Sequence, residues 1–183
     1  MTVAEKLVAL LKAQGLTCAT AESCTGGGVG SAITAVPGSS AVFAGGIISY
    51  ANEVKRDVLG VAAQALDEYG AVSPQVAAQM AEGARRLLKT DLAVSLTGIA
   101  GPDGGSDEKP VGLVWFGLAT KDGVRTEKAI FRGDRVRVRE QAVIHLHIAG
   151  GAVEATFRFR LAGQHFHRDA RGLLNLLHRL RGV

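Results

Sequence analysis

The sequence predicts an α/β fold with helices on both faces of a mixed sheet that ends in an antiparallel hairpin. Three observations predict it. Strand-like and helix-like segments alternate through the first half of the chain. The apolar run "DLAVSLTG" (Asp91 to Gly98) reads as a strand buried on both faces, as a parallel sheet requires. "VGLVWFGLAT" and "VRTEKAIF", joined by "KDG", read as a hairpin.

Each element has its own signal. Thr2 and Glu5 have capping-box spacing, Val3, Leu7, Leu10 and Leu11 share a face, and Gly15 closes the first helix. "LTCATA" (Leu16 to Ala21) is a strand. The glycines that follow open a helix running through Val29 to about Ala35. "VPGSS" breaks the chain at Pro37-Gly38, "GGIISY" (Gly45 to Tyr50) is a second strand, and Asn52 is typed to cap a short helix carrying Lys55. Ser73-Pro74 starts a helix to about Lys89 that buries Val76, Met80, Ala84 and Leu87. After the hairpin, Gly133-Asp134 caps a last helix from about Arg135 to His147.

With 183 residues, 47% of them hydrophobic and 21% charged, the chain has the size and composition of a soluble domain that buries a full core. A net charge of +4 favours anionic ligands but is not the dense basic stripe of a nucleic-acid binder. Cys18 and Cys24 give no disulfide framework, which fits a reducing cytoplasm. Glu5 and Lys6 interrupt any signal-peptide core, and no apolar run is long enough to span a bilayer. No internal repeat is present.

Two glycine-rich turns stand out. In "AESCTGGGVGSAI" a strand runs through Ser23, Thr25, Gly26, Gly27 and Gly28 into a helix, which leaves backbone N–H groups and a helix dipole to hold an anion. The stretch lacks the lysine of a phosphate loop and the G-x-G-x-x-G spacing of a dinucleotide fold. Equally, it reads as a tight, closely packed strand–helix turn. The second, "SLTGIAGPDGGSDEKPVG", leaves the carboxyl end of a central strand, where open α/β sheets place ligands. Thr97, Gly98 and Gly101 lie there, and Lys109 offers a cation.

"TAESCTGG", "PGSS", "SYANEVK", "GAVS", "TGIAGPDGGSDEKPVG" and "GDR" follow one another as in the C-terminal domain of the competence/damage-inducible protein CinA, which this chain resembles from about Val3 to His145. That domain also occurs alone as a nicotinamide-nucleotide amidase. The resemblance implies a three-layer α/β/α domain over residues 1–147. It implies hydrolysis of the carboxamide of nicotinamide mononucleotide to nicotinate mononucleotide and ammonia, with no cofactor. Larger relatives carry a further N-terminal domain, so the stand-alone form is the expectation here.

Amide hydrolysis without a metal needs a nucleophile, a base, an acid for the leaving amine and donors for the oxyanion. The chain offers serine, lysine and tyrosine, an alternative to the histidine triad because a desolvated lysine is a base near neutral pH. The resemblance points to the same residues. The expectation is Ser40 as nucleophile, with the roles of Ser40 and Ser23 left exchangeable by the sequence, Tyr50 and Lys55 as proton-transfer pair, and Thr97 with nearby N–H groups as oxyanion or carboxamide contacts. Ser23, Thr25 and Gly26 to Gly28 would hold the phosphate or ribose, with Ser39, Asn52, Gly98, Gly101, Lys109 and Arg139 as further substrate contacts. On local chemistry alone Ser40 is a helix cap, Lys55 a solvated side chain and Tyr50 a half-buried anchor.

Cys24 sits where a helix would stabilise a thiolate, yet it has no motif-supported base and reads as a small buried residue. His145 and His147 face different ways on a helix, so no metal is expected. Residues 148–183, rich in arginine and with spaced leucines from Leu173 to Leu180, form an atypical basic extension that the resemblance does not cover. Those leucines or an exposed sheet edge would support a homodimer or higher homo-oligomer. A non-catalytic nucleotide-binding or regulatory module linked to competence and DNA damage is the alternative reading.

Overall fold

The computed structural model describes residues 1–145. The expected extension over 148–183 lies outside the described residues, as do His147 and the leucines of the tail.

In chain order the elements are α1 (Val3–Gln14), β1 (Cys18–Glu22), α2 (Gly28–Thr34), a 3-10 turn (Ser39–Ala41), β2 (Phe43–Ile48), α3 (Asn52–Asp57), α4 (Ala63–Tyr69), α5 (Pro74–Leu88), β3 (Leu92–Gly98), β4 (Leu113–Thr120), β5 (Gly123–Ile130) and α6 (Arg135–Ile144). The five strands lie in the order β2-β1-β3-β4-β5. β1 runs parallel to β2 and β3, while β3, β4 and β5 pair antiparallel. This is the expected mixed sheet with its terminal hairpin.

Capping chemistry accounts for the helix starts. Thr2 and Glu5 close the expected capping box of α1, and Gly15 ends it at φ 62°. The Ser73 hydroxyl accepts from the Val76 N–H ahead of Pro74, and Asp134 accepts from the Arg137 N–H. Three expectations are corrected. Asn52 is the first residue of α3, and Ala51 takes the cap position without a side-chain bond. Leu87 is 51% exposed, because the buried stripe of α5 runs through Val76, Met80 and Ala84 and turns away before it. Helix α4 was not anticipated; it begins at Ala62 with no side-chain cap, and the Ala62 N–H is satisfied from a distance by the Gln79 side chain.

Alternation along β1 assigns the two helical layers. Ala19 and Ala21 join the core formed with Leu59, Val61, Val76, Met80 and Ala84, which is the α4–α5 side. The Thr20 and Glu22 side chains lie against Gly30 of α2 on the other side. Helix α2 in turn touches α1 and α6. The sheet is therefore covered on both faces. Close approach matters at Gly83, where a Cβ would run into the Leu59 carbonyl. Gly83→Ala is expected to cost about 2–3 kcal/mol in urea unfolding, because a backbone carbonyl cannot rotate aside as a side chain can. Among the described residues no helix is long and apolar enough to cross a membrane.

Candidate active site

The parallel half of the sheet builds the site. β1 is in register with β2 (Glu22 with Ile48) and with β3 (Glu22 with Leu96), so their carboxyl ends finish together. The chain leaves them at Ser23, at Ser49–Tyr50 and at Thr97–Gly98. This is the edge at which α/β sheets bind ligands. A cleft of about 180 Å3 opens there, lined by Ser23, Cys24, Tyr50, Asn52, Lys55, Ala71, Val72, Thr97, Gly98, Ala100 and Arg135.

Lys55 is the unusual group. Helix α3 starts just after Tyr50 and carries the lysine back over the strand ends, where it is 1% exposed. Its Nζ lies 2.7 Å from the Ser49 carbonyl, 3.1 Å from the Tyr50 carbonyl and 3.2 Å from the Ser23 hydroxyl. Burial holds its pKa below the ordinary lysine value, against smaller opposing effects of Cys24 and Glu53. A neutral amine has two N–H donors and one lone pair. In the neutral form the two carbonyls would take the donors, and the lone pair would be left to accept the proton of Ser23.

The glycine turn does hold an anion, and the anion is the protein's own. Glu22 is 1% exposed. Its carboxylate accepts from the Thr25 hydroxyl (2.7 Å) and from the N–H groups of Gly27 (3.1 Å), Val29 (3.0 Å) and Gly30 (2.8 Å). The Gly26 and Gly28 N–H groups go to the Ser23 and Thr25 carbonyls. The expectation that Thr25, Gly26, Gly27 and Gly28 grip a substrate phosphate is corrected on this ground: the Thr25 hydroxyl and the N–H groups of Gly26, Gly27 and Gly28 are spent on acceptors within the protein, and of these residues only the Thr25 N–H has none among the described residues. Glu22→Ala would strand four donors, two of them buried and two part-buried, and is expected to destabilise the fold by about 3 kcal/mol in denaturant unfolding. Glu22→Gln, which keeps an acceptor oxygen, is expected to cost distinctly less.

Other expected contacts sort themselves by position. Ser23, Tyr50, Asn52, Lys55, Thr97 and Gly98 come together in the cleft. Ser39 and Ser40 do not; they sit in the 3-10 turn before β2, at the strand's amino end, about 20 Å away at ~3.3 Å per residue. Ser39 is buried there and Ser40 exposed. Lys109 donates to the Tyr69 carbonyl at 2.6 Å, tying the long loop to the end of α4. Gly101 contributes its carbonyl to Arg135 at 2.9 Å. Arg139 is engaged with the Cys24 and Thr25 carbonyls. Thr97 donates its one hydroxyl proton to the Ala71 carbonyl at 2.8 Å, so it faces the cleft as an acceptor and not as an oxyanion donor.

Tyr50 is 63% exposed at the mouth, its phenol accepting from Arg135 at 3.2 Å. Burial pushes the Cys24 thiol up to about 11, so it stays neutral and is a poor nucleophile. From the sequence Arg135 and Arg139 both read as able to reach a phosphate if the last helix lines the cleft; the structure places Arg135 in the cleft lining as its second cation, and Arg139 outside that lining. The spacing from "SYANEVK" to "GDR" says nothing of α6 packing on α2, with Arg135 reaching the Gly101 carbonyl and the Tyr50 phenol.

The CinA C-terminal domain model matches residues 1–146 of this chain. Nicotinamide-nucleotide amidohydrolase PncC of Escherichia coli is 50% identical over 146 residues, which is 79% of this chain and 88% of that protein. A CinA-like protein of Parasynechococcus marenigrum is 55% identical over 134 residues, 73% of this chain but 32% of that protein. The chain thus spans about a third of the length of several curated relatives it matches. Among solved structures, the competence/damage inducible protein CihA from Agrobacterium tumefaciens superposes with a TM-score of 0.80 at 41% identity, covering 83% of this chain and 93% of that one.

Proposed function

The chain belongs to the CinA C-terminal domain family, and on that premise we propose that it is an amidohydrolase converting nicotinamide mononucleotide to nicotinate mononucleotide and ammonia. The observation that carries this reading is the buried Lys55 amine hydrogen-bonded to the Ser23 hydroxyl. A binding module has no use for a desolvated lysine on a serine; a hydrolase does.

In the reaction, neutral Lys55 takes the Ser23 proton as Oγ attacks the carboxamide carbon. Among the described residues the N–H groups of Cys24 and Thr25 are the donors of the turn not spent on another acceptor, and they receive the oxyanion. Thr97, an acceptor toward the cleft, takes an N–H of the carboxamide and orients it. The C–N bond breaks, and the nitrogen leaves as ammonia with the proton that Lys55 took from Ser23, passed directly or through the Tyr50 phenol, which accepts from Arg135; the lysine is neutral again. Water, deprotonated by Lys55, then releases the acid from Ser23. The pyridinium charge of the substrate lowers the lysine's proton affinity further. Arg135 meets the phosphate. The work belongs in the cytoplasm, where free Cys18 and Cys24 stay reduced.

The test is ammonia release from nicotinamide mononucleotide by the purified full chain without added metal. Nucleotide binding with no ammonia would overturn the reading in favour of a regulatory module.

A further inference from the structure

Arg139 lies on α6, far along the chain from the nucleophile, yet it grips the turn that follows Ser23. Its Nε donates to the Cys24 carbonyl at 3.1 Å and its Nη2 to the Thr25 carbonyl at 3.0 Å. The Gly26 N–H holds the Ser23 carbonyl at 3.2 Å, and the Gly28 N–H holds that of Thr25 at 3.3 Å. Every carbonyl from Ser23 to Thr25 is therefore tied. In a trans peptide the N–H points opposite to the carbonyl of the same planar unit. Fixing the Ser23 and Cys24 carbonyls thus fixes the aim of the Cys24 and Thr25 N–H groups, the two that remain to meet a negative oxygen.

We propose that Arg139 is a positioning residue, which from behind the cleft sets the peptide planes of the oxyanion-binding turn and so couples the last helix to catalysis. The inference rests on the amidohydrolase reading of the site. It demands the planar fork of a guanidinium, which spans two carbonyls at once; a lysine ammonium at the end of a flexible stem reaches one. The cation also polarises the Cys24–Thr25 peptide and strengthens its N–H as a donor. Catalysis loses when such donors are mis-aimed, because their value lies in being preorganised for the charge of the transition state.

The experiment compares Arg139→Lys and Arg139→Ala with the wild-type full chain. Its readouts are kcat, KM for nicotinamide mononucleotide and for the phosphate-free riboside, and affinity for the aldehyde corresponding to the substrate amide. Ser23 adds to that aldehyde: an Oγ–C bond forms, the carbonyl pair moves to oxygen, and Lys55 takes the serine proton, giving a tetrahedral oxyanion. Arg139→Lys is expected to lower kcat about a hundredfold, as loss of an oxyanion donor does, with KM for both substrates within about twofold. Aldehyde affinity should fall by the same factor as kcat, and added guanidinium ion should restore part of the rate of Arg139→Ala.

A KM increase confined to the phosphorylated substrate would overturn the inference and make Arg139 a phosphate ligand. A lower melting temperature with kcat per folded enzyme unchanged would overturn it in favour of a purely structural clamp. Wild-type enzyme that releases no ammonia would overturn the amidohydrolase reading and this inference together, whereas wild-type turnover with either variant result above overturns this inference alone.

Discussion

Ser23→Ala is expected to reduce ammonia release by about four orders of magnitude or more, the scale seen when an activated nucleophile is removed, while Ser40→Ala stays within about twofold of wild type. The pair separates two serines of similar motif character. Ser23 is 8% exposed and within 3.2 Å of the buried Lys55 amine. Ser40 sits exposed in the turn before β2, at the other end of that strand from Lys55. No rotamer of a serine bridges the length of a strand. Steady-state ammonia release by the two variants, with unfolding curves to show that both remain folded, checks the result. Loss of activity in Ser40→Ala alone would reverse the assignment.

Lys55→Met is expected to lower kcat by about a thousandfold, within the usual range for a general base, with the fold retained because methionine fills the buried volume without a charge. The same lysine sets the pH profile of the wild type. Its pKa is lowered by burial, so the neutral amine becomes populated below the ordinary lysine range. The base must be neutral in the free enzyme, and kcat/KM therefore rises with pH through the Lys55 pKa and levels off above it. Stability follows with a definite sign. The unfolded chain holds the lysine proton up to its ordinary pKa, whereas the folded chain releases it earlier. Between those two values the unfolded state binds more protons, and folding becomes more favourable as pH rises. Below the folded value the cost of burying the charged amine is constant. Lys55→Met should flatten both profiles. An acid limb unchanged in the residual activity of Lys55→Met would rule the lysine out as the base.

The elements legible in the sequence were those whose signals are local. Thr2 with Glu5, Ser73 with Pro74 and Asp134 each mark a helix start through chemistry confined to one turn, and each is found capping. Helix α4 has no such mark, since its cap is Ala62 and the partner of that N–H is Gln79, a helix away. Leu87 keeps the apolar type of a core position, but which face of α5 is buried depends on the sheet beneath it.

The glycine turn carries two sequence readings, an anion site and a tight strand–helix turn, and in the structure its donors meet the protein's own Glu22 carboxylate. "TAESCTGGG" contains Glu22 in plain sight, yet only the direction of its side chain, toward α2, shows that it occupies the N–H groups itself. The same holds for cations. Lysines and arginines near a cleft look interchangeable as charges, and hydrogen bonding sorts them: Lys109 to a helix end, Arg139 to the nucleophile turn, Arg135 to the cleft.

By itself the amino-acid sequence determined the alternation of strands and helices, the hairpin and the kinds of group at the site, because periodicity and capping act over a few residues. Only the tertiary structure decided that Ser23 meets Lys55 and that Ser40 does not. That choice depends on β1 and β2 running parallel with their carboxyl ends in register, and register is set by burial and pairing across the sheet, which no stretch of chain contains on its own.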